Sequence, residues 1–353
     1  MMGSAARISW RRRAEALGAA IPRDRLHAAV LSWAAMRPRN EVWAVAFSGG
    51  ADSLCLLLLL WAHWPERRSR LLALHFDHRM RGAASRADAR FCAEVCRALG
   101  VACSVGRWTA RPKSPGEAQA RQARFAFFQG EMRSARARAL WLGHQQDDIA
   151  ETIFMRLARG SGSAGLAAPR PVHEVDGRFH VRPLLTLSKH EISAALRRGG
   201  IPWREDATNT GGDYFRNRLR NNLLPIWQRA AGRDASAGAA LSRELLEEDD
   251  SALEAWADSL GAMTPGGKLR LKRLFGQPRA VVRRVLHRWL LRQSGAGELS
   301  RQGFAELLAA AEKGRPTRRS LGPLGFAVIR GRFLVYESRR PTRNISRVSK
   351  GFN

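Results

Sequence analysis

The chain has 353 residues, with 60 Lys and Arg against 31 Asp and Glu, a formal net charge of +29. Its hydrophobic content of 45% is enough for a core and excludes a disordered chain. Its longest apolar run, Leu54 to Trp61, is too short to span a bilayer, and its four cysteines lack the CxxC spacing of a zinc ribbon or redox motif. The basic excess points to a polyanion, read here as nucleic acid and not a membrane, with a generally Arg-rich composition as the bland alternative.

The N-terminal stretch Met1 to Arg25 carries Arg11, Arg12 and Arg13 in a row and no apolar h-region. It reads as a basic helix of a cytoplasmic protein, although an organellar transit peptide has a similar composition. From Val42 onward, short apolar runs alternate with longer amphipathic ones. Val42–Phe47 reads as a buried strand, Asp52–Trp64 as a helix, Leu71–Asp77 as a strand and Ser85–Leu99 as a helix. A strand at Val101–Trp108, a helix at Pro115–Arg136, a strand at Ala139–His144 and a helix at Asp147–Leu157 follow. Phe179–Leu185 reads as a further strand. Ser188–Arg198 reads as a helix with Ser188 and Glu191 in capping-box positions.

Strands that alternate with helices imply parallel pairing and right-handed crossovers, hence an α/β fold with a doubly wound, mostly parallel sheet. Leu219–Trp227, Ala239–Leu260, Ala280–Gln293 and Gln302–Glu312 read as helices, and Phe326–Glu337 as a hairpin around Arg330-Gly331. The expected organisation is therefore a basic helical segment at 1–40, an α/β domain at 41–230, a mostly helical domain ending in the hairpin at 231–338, and a basic tail at 339–353.

Doubly wound sheets bind ligands at the carboxyl ends of their strands. Ser48 follows the first strand, Asp77 ends the second and His144 ends the fourth, so three polar clusters fall on one rim. The clearest local signal is SGGADS: Ser48, Gly49, Gly50, Ala51, Asp52 and Ser53. Small residues between a buried strand and a helix let backbone N–H groups close around an anion at the helix N-terminus. Asp52 is out of place beside phosphates unless it holds a cation, and Mg²⁺ is the natural one. No Walker A pattern occurs. The glycines Gly160, Gly162 and Gly165 mimic a dinucleotide fingerprint but follow a helix instead of a strand.

Asp147, Asp148 and Glu151 open the helix after the fourth strand, with Asp148 and Glu151 on one face. They are candidates for proton transfer to or from a nucleophile, or for ordinary helix N-terminal acids. Arg121 and Arg124 share a face of the long helix and suit a phosphate. Arg216, Asn217, Arg218 and Arg220 form a compact basic cluster after a Gly-Gly loop.

SGGADS resembles the PP-loop of the N-type ATP pyrophosphatases, which cleave ATP to AMP and pyrophosphate while adenylating a carbonyl oxygen. FDHRMR (76–81), EAQARQARF (117–125), GHQQDDIAETIFMRLARGSG (143–162), RPLL (182–185) and EDATNTGGDYFRNRLRNNLLP (205–225) follow in that order. Together they resemble the tRNA(Ile)-lysidine synthases, from about Val42 to Trp227, and more loosely at the hairpin. The resemblance implies ATP and Mg²⁺ as cofactors. It also implies an isoleucine tRNA with a CAU anticodon and L-lysine as partners, and a ligase that replaces the C2 oxygen of the wobble cytidine with lysine. It implies Asp52, Asp148 and Arg121 as catalytic residues, Asp147, Glu151 and Asp77 as lysine or proton-transfer candidates, and Arg216, Asn217, Arg218, Arg220 and Arg124 as tRNA contacts. Phe125 stands where Tyr is frequent in that family. A cytidine thiolase with the same loop is the nearest rival, and the missing CxxC weighs against it. A non-catalytic RNA-binding protein that retains the fold is a further alternative.

Overall fold

A strand buried on both faces needs helices above and below it. Trp43–Ala46 (β1) is such a strand: Trp43 and Val45 enter one apolar core and Ala44 another. The computed structural model describes residues 9–79, 82–109, 112, 116–205, 215–293, 299–322 and 325–339. It places β1 in a six-stranded sheet with Leu71–Asp77 (β2), Ala102–Arg107 (β3), Ala139–Trp141 (β4), Val172–Val175 (β5) and Arg178–Val181 (β6). The order is β3-β2-β1-β4-β6-β5, parallel throughout except for β5, which runs antiparallel to β6. The chain winds outward from β1 through β2 to β3, then returns to β4 on the other side. The gap between β1 and β4 is therefore the topological switch point, where such sheets open a ligand crevice at their carboxyl ends.

The helices of this unit are Trp10–Ala20 (α1), Ala28–Ala35 (α2), Ala51–His63 (α3), Ala83–Leu99 (α4), Glu117–Ser134 (α5), Gln146–Leu157 (α6), Ser163–Leu166 (α7), Lys189–Arg198 (α8), Phe215–Arg218 (α9) and Leu224–Ala231 (α10). A π-helical turn, Leu219–Leu223, joins α9 to α10. The 25-residue helix Ala235–Ser259 (α11) follows. α3 is apolar all round, and Ser53 through Trp61 are all buried. Such a helix is stable only when covered on every side. α1 supplies part of that cover through Ala14, Leu17 and Ile21. Gly18 lets the two helices approach, since a Cβ there would lie 2.8 Å from the Ala62 Cβ. The basic N-terminal helix is thus part of the α/β core and not a separate segment ending at residue 40. Behind the sheet, Trp43 meets Trp141 at a tilt at 4.4 Å and Trp64 edge-on at 5.6 Å, and Trp33 meets Trp141 at 6.1 Å between ring centroids.

The opposite face of the sheet is covered by α5, of which only Phe128 and Met132 are fully buried. Gly106 in β3 makes room for this helix, because a Cβ there would lie 2.6 Å from the Phe127 ring. The strand expected at Phe179–Leu185 ends at Val181, where Pro183 starts a 3₁₀ turn. Its antiparallel neighbour β5 is absent from the sequence reading.

Contacts divide the chain into Met1–Glu247 and Glu248–Asn353, not at residue 230. In the second unit, Leu269–Arg270 (β7), Thr317–Ser320 (β8), Gly325–Arg330 (β9) and Phe333–Ser338 (β10) form an antiparallel sheet ordered β7-β10-β9-β8. The expected hairpin is β9–β10, closed by the Arg330–Phe333 pair around Gly331, whose φ is +56°. Arg279–Leu291 (α12) and Arg301–Lys313 (α13) pack on it through Val282, Leu286, Trp289, Leu307 and Leu308. The basic tail from residue 340 lies outside the described residues. Among the described residues, no helix is long and apolar enough to cross a membrane.

Candidate active site

The loop after β1 folds on its own hydroxyls. The Ser48 N–H donates to Ser53 Oγ at 3.2 Å, the two Oγ atoms lie 3.0 Å apart, and Ser53 Oγ donates to the Gly50 carbonyl at 3.1 Å. These bonds stop the turn from opening and leave the first N–H groups of α3 with no acceptor inside the helix. Gly49 has φ +88°, a conformation that needs glycine, and a Cβ there would lie 3.1 Å from Cys92 Sγ. Arg204 straps the loop from outside: its N–H donates to the Gly49 carbonyl at 2.9 Å while its Nε holds Asp88 at 2.6 Å. At the end of β4, a Cβ on Gly143 would lie 3.0 Å from the Asp52 carbonyl carbon. The β4 rim is therefore pressed directly against the first turn of α3.

Asp52 sits at that junction. Its Oδ1 is buried and has no hydrogen-bond partner. Burial, then the neighbouring charge of Asp148, push its carboxyl up to about 6, with Lys189 and Arg220 acting in the opposite direction. A buried carboxylate oxygen with no donor, beside a second carboxylate and an anion-binding helix end, fits a hard divalent cation.

Asp148 is also engaged. Its Oδ2 accepts from the Gln145 N–H at 2.9 Å, and its Oδ1 accepts from Arg216 at 2.5 Å. Glu151 is wholly buried and accepts from Arg216 Nε at 2.5 Å and from Arg220 Nε at 2.5 Å. Burial alone would lower the Arg216 guanidinium; the charges of Asp148 and Glu151 outweigh it and raise the group. Two of the five residues expected at a tRNA surface, Arg216 and Arg220, therefore hold the acidic pair. Asn217 is buried, and only Arg218 of this cluster is exposed. The Gly-Gly loop before it lies outside the described residues.

Asp147 is tied into the scaffold: Oδ2 accepts from the Lys189 N–H at 2.9 Å and Oδ1 from Ser236 Oγ at 3.3 Å. It caps α8, next to the capping box in which Glu191 N–H donates to Ser188 Oγ at 3.2 Å. Asp77 stands on the same rim, but its Oδ1 accepts from the Arg79 N–H at 2.7 Å in a local turn. His144 is half-buried and accepts from Arg182 Nε on Nδ1 at 3.1 Å. Burial, then the charges of Arg182, Arg216, Arg121 and Arg124, hold it well below the usual histidine range, so it is neutral. Arg182, within the RPLL stretch, is the site residue that sequence reasoning left without a role. The signal was its position directly after β6 and before Pro183.

Arg121 and Arg124 stand over the Phe125 ring, with Arg121 at 4.8 Å from its centroid. Arg124 Nε is buried without a hydrogen-bond partner. Burial, followed by the charges of Arg121 and Arg216, lowers Arg124 to about 10. A buried guanidinium among other guanidiniums is a seat for an anion. The thiols offer less chemistry. Cys55, Cys92 and Cys96 are buried and Cys103 is half-buried. Burial raises Cys55 and Cys92, and a hydrogen bond with Cys103 raises Cys96.

Known proteins resemble the chain at this point of the fold. The PP-loop domain family ATP_bind_3 matches residues 25–227. A tRNA(Ile)-lysidine synthase of Solibacter usitatus is 38% identical over 284 residues, 77% of this chain and 62% of that protein. One of Symbiobacterium thermophilum is 36% identical over 77% of this chain and 60% of its own length, and one of Pseudomonas syringae is 41% identical over 59% and 48%. The chain thus spans about three fifths or less of the curated relatives named here. Among solved structures, a U34-tRNA thiolase from Methanococcus maripaludis is 15% identical with a TM-score of 0.47, covering 67% of this chain and 78% of that one.

Proposed function

The chain belongs to the PP-loop domain family, and from that membership we propose that it is an AMP-forming ligase that joins L-lysine to C2 of the wobble cytidine in an isoleucine tRNA with a CAU anticodon. The observation that carries the reading is the meeting of the Ser48–Ser53 turn, Asp52 and Asp148 at the β1/β4 switch point, in a chain similar to tRNA(Ile)-lysidine synthases.

ATP places its β- and γ-phosphates on the N–H groups at the start of α3. Asp52, whose buried Oδ1 has no hydrogen-bond partner, would hold Mg²⁺, which would supply charge neutralisation there. The cytidine C2 oxygen attacks the α-phosphorus and pyrophosphate leaves. Arg121 and Arg124 receive the phosphate of the adenylated base, with Arg124 Nε buried and holding no other hydrogen-bond partner. The ε-amine of lysine then attacks C2. Asp148 orients the amine and takes its proton as the C–N bond forms, and AMP departs. Arg216 and Arg220 fix Asp148 and Glu151 in place, Arg182 fixes His144, and Arg218 faces the RNA.

Incubating the protein with bulk tRNA, ATP and lysine tests the reading. The expected result is a lysine mass increment on one cytidine, with AMP and pyrophosphate formed only when tRNA is present. ADP as the main product, or a sulfur increment in place of lysine, would overturn it.

A further inference from the structure

Several arginines of this protein are held by carboxylates. Arg37 holds Glu41, Arg204 holds Asp88, Arg216 and Arg220 hold Asp148 and Glu151, and Arg284 and Arg288 hold Asp250 and Glu254. Four others are gathered at one place without such a partner among the described residues. Arg133, Arg136, Arg138 and Arg178 line an open cavity of about 350 Å³ with Met132, Ala137, Asp176 and Gly177. None of the four pairs with a carboxylate of the described residues. The cavity lies at the amino-terminal end of the parallel sheet, opposite the rim that carries the PP-loop.

The backbone holds these charges together against their repulsion. β4 and β6 pair in register from Ala139 and Phe179, with the Phe179 N–H donating to the Arg138 carbonyl at 2.7 Å. Arg138 and Arg178 therefore lead into neighbouring strands side by side, and like charges so placed disfavour one another. Among the described residues, three non-glycine residues have positive φ. Two of them line this cavity, Arg136 at +52° and Asp176 at +50°. Asp176 and Gly177, at +71°, are the two-residue turn between β5 and β6, where positive φ is the ordinary conformation, and Arg136 lies just past the end of α5. Four guanidiniums and one carboxylate leave an excess of three positive charges in one depression.

We propose that this cavity is a second RNA contact, a seat for backbone phosphates of the polynucleotide whose reactive base enters the opposite rim; this rests on the reading of the substrate as tRNA. α5 supplies the span. It begins beside the active site, with Arg121 and Arg124 in its first two turns, and ends at Arg133 on the cavity wall. The twelve steps from Arg121 to Arg133 cover about 18 Å of helix, a distance that several nucleotides bridge. A free phosphate or nucleotide would meet the same guanidiniums, and the salt dependence of tRNA binding separates the two.

The test is the salt dependence of bulk-tRNA binding by the full chain. The Arg133→Ser/Arg136→Gly/Arg178→Ser variant should flatten the log–log slope by roughly 2, since each lost phosphate contact removes about 0.7–0.9. Asp176→Asn, which tolerates positive φ, should tighten tRNA about threefold by removing the one negative charge, a gain that misfolding does not produce. An unchanged slope in a triple variant that keeps its circular dichroism overturns the proposal. So does loss of inorganic phosphate or ATP binding in that variant with tRNA binding intact, which would make the cavity a small-anion site. If the slope flattens but wild-type protein adds no lysine to tRNA, the RNA contact stands and the ligase reading fails.

Discussion

The two ends of the parallel sheet use the same side chain in opposite ways. At the carboxyl end, Arg216 and Arg220 are bonded to Asp148 and Glu151, so their charge is spent inside the protein and they act as struts for two carboxylates. At the amino end, Arg133, Arg136, Arg138 and Arg178 line a cavity and have no ion-pair partner among the described residues, so their charge remains available to a ligand. A net charge of +29 says that anions are attracted but not where they land. That depends on which arginines have already found a carboxylate, often one far away in the chain.

The largest expected effect comes from breaking the paired end. Glu151→Gln leaves both Arg216 and Arg220 without their buried partner. It should destabilise the protein by about 3–5 kcal/mol in urea unfolding, in the range for a buried pair broken from one side. An unchanged unfolding midpoint would mean that the two arginines turn to solvent at no cost, and that the two ends are alike.

Asp52→Asn should act in two directions. AMP formation should fall about 100-fold with loss of a charge-positioning group. Stability at pH 7.5 should rise by about 1–3 kcal/mol. The sign follows from the raised carboxyl, about 6 when folded against an ordinary 3.8. The folded state holds this proton more tightly than the unfolded one, so stability falls as pH rises from about 4 to about 6 and stays lower above. A variant no more stable than wild type at pH 7.5 would remove Asp52 from the role of ionised ligand.

The smallest effect belongs to the unpaired end. Arg136→Gly should stabilise the protein by about 0.5–1 kcal/mol, because glycine adopts φ +52° without the clash an L side chain meets. It should do so while weakening tRNA binding. A lower melting temperature would show that Arg136 serves the fold and not a ligand.

Much of the first unit was legible in the sequence because its signals are local. The apolar runs of β1 and β2, the Ser48–Ser53 turn and the Ser188–Glu191 box are each complete within a few residues. β5 was not legible, since its burial is only partial and its sequence, VHEV, carries two polar residues. The role of Arg216 was not legible either. Its partners lie 65 and 68 residues earlier, and a guanidinium reads the same whether it meets a carboxylate, a phosphate or water. The place of α1 could have been inferred from α3, because a helix apolar on all sides demands another helix against it.

The tryptophans behind the sheet give the first unit an optical identity. Trp33, Trp43, Trp64 and Trp141 lie within 4.4 to 6.1 Å of a neighbouring indole in the group, at tilted and edge-on angles. Indoles so close and so inclined share their excited states, and the coupling produces a paired positive and negative band in circular dichroism. In the second unit the buried Trp289 bonds alone to the Gly267 carbonyl at 2.8 Å. That band therefore reports on the α/β unit, and its disappearance on heating marks the moment the layer behind β1 and β4 comes apart.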